Sequence, residues 1–235
     1  MNPLEPVLLA VKHLHALGVD VKPYLIRIND ILKTEAMFLR QLKQSCRELF
    51  RGDLSQSAFL DDMMETIADQ LHKAWREGAR EVGVSGEEAD SDPMIYTIID
   101  GEYNQVDGLA IDIIQFAREG HTFEEYAARF NSRIELWARR YADVVNRAKA
   151  HFGKKIKLEW KLGATEEHCA TCNRLNGLVA YAEEWQTARI FPQNPPNSML
   201  ECGGWRCGCT LEITDKRRSP DVLGTLLDIA TAAHL

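Results

Sequence analysis

The chain has 235 residues, of which 45% are hydrophobic and 27% charged, and its net charge is −7. This is the composition of an ordinary globular protein, and a chain of this length buries a real core without covalent staples. The acidic balance and the lack of a long basic stripe exclude the phosphate-neutralising footprint of a strong nucleic-acid binder.

Length predicts one large domain, or one body with a small module. At the N-terminus the apolar run 7–11 is too short to span a bilayer, and Lys12 and His13 interrupt it. No positive segment precedes it, so it does not read as a signal peptide. His13 and His15 flank a short amphipathic stretch and read as surface residues. The expected compartment is a reducing cytosol, where six cysteines suggest metal ligands or free thiols more than disulfides.

Up to about residue 152 the pattern is helical. Leu25, Ile28, Ile31, Leu32, Leu39, Leu42 and Leu49 recur at helical spacing, as do Leu60, Met63, Met64, Ile67, Leu71 and Trp75. Gly78 and Gly83 mark where the second helix should fray or stop, and residues 84–91 read as a loop. Ser91-Asp92-Pro93 predicts a helix start, because proline at the first helical position needs no amide donor. Ile95, Ile98, Ile99, Val106, Ile113 and Phe116 follow, with a break or tight contact expected near Gly101 or Gly108. After Gly120, Thr122 and Glu125 form a capping-box pattern. Tyr126, Phe130, Ile134, Trp137, Tyr141 and Val145 then run down one face, the longest uninterrupted helix signal and the expected spine of an elongated body.

After Gly153 the period changes. Ile156, Leu158 and Trp160 alternate with lysines and a glutamate, which predicts a half-buried strand, and Leu211 and Ile213 predict a second. Between them lie a short helix at 183–189 and a proline-rich connector at 191–196. Ser219-Pro220 opens a last helix carrying Val222, Leu223, Leu226, Leu227 and Ile229. The expected architecture is mainly α: a helical body over 1–152, a small α+β cysteine-rich module over 153–216 with two short strands, and a C-terminal helix over 217–235. The basic stretches Lys154, Lys155, Lys157, Lys161 and Lys216, Arg217, Arg218 read as solvated surface.

Five of the six cysteines fall in that module: Cys169 and Cys172 as Cys-x-x-Cys, then Cys202, then Cys207 and Cys209 as Cys-x-Cys. Zinc takes four soft ligands in a tetrahedron, and two turns that each present a thiolate pair supply them. The glycines of the run from Cys202 to Cys209 allow the tight turns this needs. Cys169, Cys172, Cys202 and Cys207 form the favoured set, with Cys209 as the alternate and His168 as a spare nitrogen ligand. A disulfide pair and plain buried thiols remain alternatives. A thioredoxin-like redox site is disfavoured, since no βαβ pattern surrounds the Cys-x-x-Cys. Cys46 stands alone in a helical pattern and reads as a small buried hydrophobe.

The stretch from Trp160 to Leu211 resembles the C-terminal domain of the Mu F-protein-like phage head morphogenesis family. The shared features are Trp160, Cys169 and Cys172, Leu175-Asn176-Gly177, the connector prolines Pro195 and Pro196, and a closing Cys207-x-Cys209. This chain departs from the family at the closing motif. The family histidine is absent and Cys202 stands near its place; Gly208 replaces the usual arginine, with Arg206 just outside. A thiolate can replace an imidazole at zinc. The helical region with Trp75, Gly78 and residues 137–146 broadly resembles the family's helical half. The resemblance implies a minor head protein of the virion, associated with portal or major capsid protein and acting in head assembly or DNA delivery.

No catalytic set is apparent: there is no G-x-S-x-G, P-loop, H-E-x-x-H or dinucleotide fingerprint. Asp61 and Asp62 sit where a helix dipole favours them. Asp100 with Glu102, and Glu183 with Glu184, read as solvated faces, since sequence neighbours do not face each other on a helix. A cysteine-rich ligand set points to a closed structural metal site rather than an open hydrolytic one. The expectation is therefore a non-enzymatic structural protein with weak or no DNA binding and no membrane association. The alternatives are a zinc-stabilised nucleic-acid or regulatory adaptor and, less favoured, an enzyme such as a zinc hydrolase or a toxin-like domain.

Overall fold

The computed structural model describes residues 21–163, 167–193, 197–204 and 207–232. The run 7–11, His13, His15, Pro195, Pro196 and Arg206 lie outside the described residues. The chain is mainly helical, as the periodicity predicts, and its small sheet has three strands rather than the two expected. No described helix is long and apolar enough to cross a membrane.

The body begins with α1 (Lys22–Arg51), which ends where Gly52 adopts φ 77° and returns its N–H to the last carbonyls. In α2 (Gln56–Glu81), Ser55 caps the first turn by accepting from the Ala58 N–H. Its buried face carries Phe59, Met63, Ile67, Leu71, Ala74 and Trp75. Gly78 does not fray this helix. It is buried inside α2, and a Cβ there would lie 2.3 Å from the Val145 carbonyl oxygen and 2.7 Å from the Ala148 Cβ. The missing side chain is what lets α2 approach the long helix α6 (Phe123–Phe152) so closely. Gly78→Ala is expected to cost about 1–3 kcal/mol or more by forcing the two helices apart, measured as a lower midpoint in urea unfolding.

Residues 84–91 are not a loop throughout. Ser85 accepts from the Glu88 N–H and starts a short helix, α3 (Gly86–Ser91), with Glu87 and Glu88 in its first turn and Ala89 buried. Asp92 then caps α4 (Pro93–Asp100) by accepting from Met94 N at 2.8 Å, with Pro93 in the first turn as expected. The break falls at Gly101 and Glu102, before α5 (Tyr103–Arg118), whereas Gly108 stays within α5. The capping box of Thr122 and Glu125 opens α6, and Phe130, Ile134 and Trp137 are buried along it.

Glu102 is not on a solvated face. It is 6% exposed and accepts from Arg140 Nη2 at 2.6 Å and from Trp137 Nε1 at 3.2 Å. Arg140 also donates to the fully buried Asp143 at 2.5 Å. Burial pushes the Asp143 carboxyl up to about 7, against the pull of Arg140. Glu184 likewise is engaged, by Arg218, while Asp100 and Glu183 are exposed. A helical period marks which residues share a face. It cannot show that a carboxylate at a helix break turns inward to meet an arginine 38 positions later.

The module contains β1 (Lys157–Lys161), α7 (Ala170–Leu175), β2 (Val179–Tyr181), α8 (Ala182–Ala188), β3 (Thr210–Ile213) and α9 (Val222–Ala232). The sheet is antiparallel in the order β2-β1-β3, with Leu158 opposite Ala180 and Ile213, and Trp160 opposite Leu211. β2 and α7 have no counterpart in the sequence reading, because a three-residue strand and a six-residue helix are too short for periodicity to reveal. As the central strand, β1 is buried at Leu158, Glu159 and Trp160 rather than on one face alone. Glu159 is accommodated there by Lys161 and Lys216, at 2.9 and 2.7 Å. The last helix begins at Val222, just after Asp221 at φ 52°, rather than at Ser219-Pro220.

Two apolar cores result, one in the body and one in the module, and Ala150 near the end of α6 belongs to the second. The same stretch of α6 secures β3. Its buried Asn146 accepts from the Leu211 N–H at 3.1 Å, and the buried Lys149 donates to the Leu211 carbonyl at 2.7 Å. An edge strand leaves such backbone groups unpaired; here two polar side chains of the body satisfy them. This joint fixes the strand that directly follows Cys207 and Cys209.

Candidate metal centre

The site is built where the ends of β1, α7 and β3 converge. Cys169 is the N-cap of α7, and its sulfur accepts from the Cys172 N–H at 3.3 Å. The Cys-x-x-Cys spacing therefore places one sulfur at the cap and the other in the first turn of a helix. Behind them, Leu175 is buried and Gly177 adopts φ 78°, which allows its N–H to donate to the Trp160 carbonyl at 2.9 Å. Leu175-Asn176-Gly177 is thus the turn that returns α7 to the sheet.

The second turn is anchored to the first. Glu201 accepts from the Ala170 N–H at 2.8 Å and donates its own N–H to Thr171 Oγ1 at 3.2 Å, which brings the following Cys202 to the start of α7. Gly203 and Gly204 both have positive φ, 60° and 79°, in the turn after Cys202. Cys207 and Cys209 arrive from the other side, ahead of β3. Gln193 Nε2 donates to the Cys209 carbonyl at 2.7 Å, and Gly163 packs so closely on Gly208 that a Cβ would lie 2.0 Å from its carbonyl oxygen.

All five module cysteines come together around Cys172. The sulfurs of Cys169, Cys172 and Cys202 lie within 4.8 Å of one another, and so do those of Cys172, Cys207 and Cys209. The Cys172 and Cys207 sulfurs are 3.8 Å apart. This exceeds the roughly 2.05 Å of a disulfide, and all six cysteines are free thiols. Such clusters are positioned to hold a metal ion. His168 belongs to neither group. Cys46 lies far from this chemistry in the body core; burial pushes its thiol up to about 12, so it is inert as a nucleophile or ligand.

The electrostatics match a cation site. Hydrogen bonding with Cys207, then with Cys209, together with burial, drives the Cys172 thiol well above its ordinary range. The reciprocal bonds from Cys172 and Cys207 pull Cys209 down to about 3, with help from the Gly163 N–H. Burial raises Cys202 to about 11, while the Gly204 N–H opposes the rise. Neighbouring sulfurs thus share protons because adjacent thiolates repel. A divalent cation removes that conflict and displaces the protons, so metal affinity should rise with pH.

Sequence reasoning singled out the five cysteines but not Gly163, Gln193 or the Glu201–Thr171 link, whose roles are backbone contacts made only after folding. No family model, curated protein or solved structure matches this chain.

Proposed function

We propose that this chain is a non-catalytic minor head protein of a phage, bound to portal or capsid subunits, with its C-terminal module folded around one structural zinc ion. The observation that carries this reading is the convergence of five thiols within the segment, Trp160 to Leu211, that resembles the C-terminal domain of the head-morphogenesis family. A tetrahedral Zn–S bond of about 2.3 Å implies sulfurs about 3.8 Å apart, and Cys172 and Cys207 have that separation. Cys169, Cys172, Cys202 and Cys207 form the proposed ligand set, with Cys209 as the alternate. Zinc would act as a cross-link here. Metal binding supplies folding free energy, because the ligands are brought together only in the folded module.

The net charge of −7 supports attachment through protein contacts, since packaged DNA repels an acidic protein. Two measurements test the reading. Elemental analysis of reduced, purified protein should find about one zinc per chain. Co-expression with neighbouring portal and capsid genes should place the protein in purified particles. A folded module without metal would remove the zinc. Exclusion from particles, combined with tight duplex binding or hydrolytic turnover, would overturn the head-protein assignment and favour an adaptor or an enzyme.

A further inference from the structure

We propose that the cleft between α6 and α8 binds the phosphate group of a phosphomonoester. This site is separate from the cysteines, and the inference is independent of the metal. The cleft has a volume of about 320 Å³ and lies where the body meets the module. Arg147 and His151 line it from α6, Trp75 from α2, and Gln186 and Arg189 from α8 and its cap.

A guanidinium offers five donors and no acceptor, and an indole offers one donor. Among the described residues, neither the Arg147 nor the Arg189 side chain has a hydrogen bond or ion pair. Arg140, two turns before Arg147, is by contrast held by both Glu102 and Asp143. The Trp75 indole N–H is also without a partner, but it is buried beneath the cleft wall and does not donate into the cleft. No carboxylate is among the described lining residues; Asp92 lies behind His151, 2.8 Å from its Nε2. The cleft is therefore rich in donors and poor in acceptors.

Arg147 is half-buried, and burial pushes its pKa down while Asp143 opposes this. Asp143 and Glu102 both attract Arg147 through space, but neither forms a hydrogen bond or ion pair with it. A partly desolvated, unpaired cation is a costly arrangement that an anion relieves. Two guanidinia balance a phosphate dianion and suit its forked oxygens. Met94 and Phe191 add apolar walls for the organic part of the ester. Arg189 also holds φ 55° as the cap of α8, a conformation uncommon for a non-glycine residue and one that concentrates at binding sites.

The test is calorimetric titration of the full chain at fixed ionic strength with inorganic phosphate, phenyl phosphate, and 5′-phosphorylated and 5′-hydroxyl oligonucleotides. Saturable binding of inorganic phosphate is expected, weakened about tenfold or more by Arg189→Gln. Arg147→Gln should act likewise. Should that variant fail to fold, the exposed Arg189 still carries the test. Tighter binding of phenyl phosphate identifies a small ester as the source. A preference for the 5′-phosphorylated strand over its 5′-hydroxyl counterpart identifies a nucleic-acid end. Either result supports the proposal. Phosphate heats no different from chloride, or binding unchanged in Arg189→Gln, would overturn it and leave a cleft filled with ordered water.

Discussion

Cys172→Ser should abolish metal binding and unfold the module while the body stays helical. Cys172 is the sulfur common to both groups of three, it is 2% exposed, and its N–H also caps onto Cys169. Serine keeps the size and the backbone bond but removes the soft ligand. Zinc content is expected to fall from about one per chain to near zero. Amide exchange should accelerate across residues 155–215 and remain slow over α2 and α6. The joint at Asn146 and Lys149 should loosen with the module, since its partner is the Leu211 backbone. Cys46→Ala provides the reciprocal control: it lies in the body core, so it should lower body stability and leave zinc content unchanged. A Cys172→Ser protein with a fully protected module would show that apolar packing around Trp160 and Trp185, whose rings lie 5.7 Å apart, suffices without metal.

Trp137→Ala is the second large effect expected. The side chain is 4% exposed in the body core, so truncation should cost about 3–5 kcal/mol through lost burial and the cavity left behind. It also removes the indole donor to Glu102, a carboxylate that is itself buried. Trp137→Phe narrows the two contributions, because it keeps one buried aromatic ring and removes the indole donor. Chemical denaturation should rank the three proteins wild type, Phe, Ala. A loss below about 1 kcal/mol for Trp137→Ala would mean that this face of α6 is open and serves as a partner surface.

The sequence by itself determined the mainly helical class, the long helix from Phe123 to Phe152, its capping box, the proline start at Pro93 and the change to strands after Gly153. Each follows from local rules: apolar period, cap chemistry and the missing amide of proline. It also identified the five clustered cysteines, because thiolate pairs at short spacing are rare in a chain that needs no staples. Only the tertiary structure decided what those local features face. Gly78 looks like a helix breaker in sequence, yet in the fold it is the contact that admits α6. Glu102 looks solvated, yet Arg140 and Trp137 draw it inside. Asn146 and Lys149 look like the polar side of a helix, yet they close the edge of β3 and so hold the strand beside the Cys-x-Cys turn. In every case the deciding partner lies tens of residues away. A one-dimensional pattern records burial along an element, but the pairing of buried polar groups is set by which elements meet.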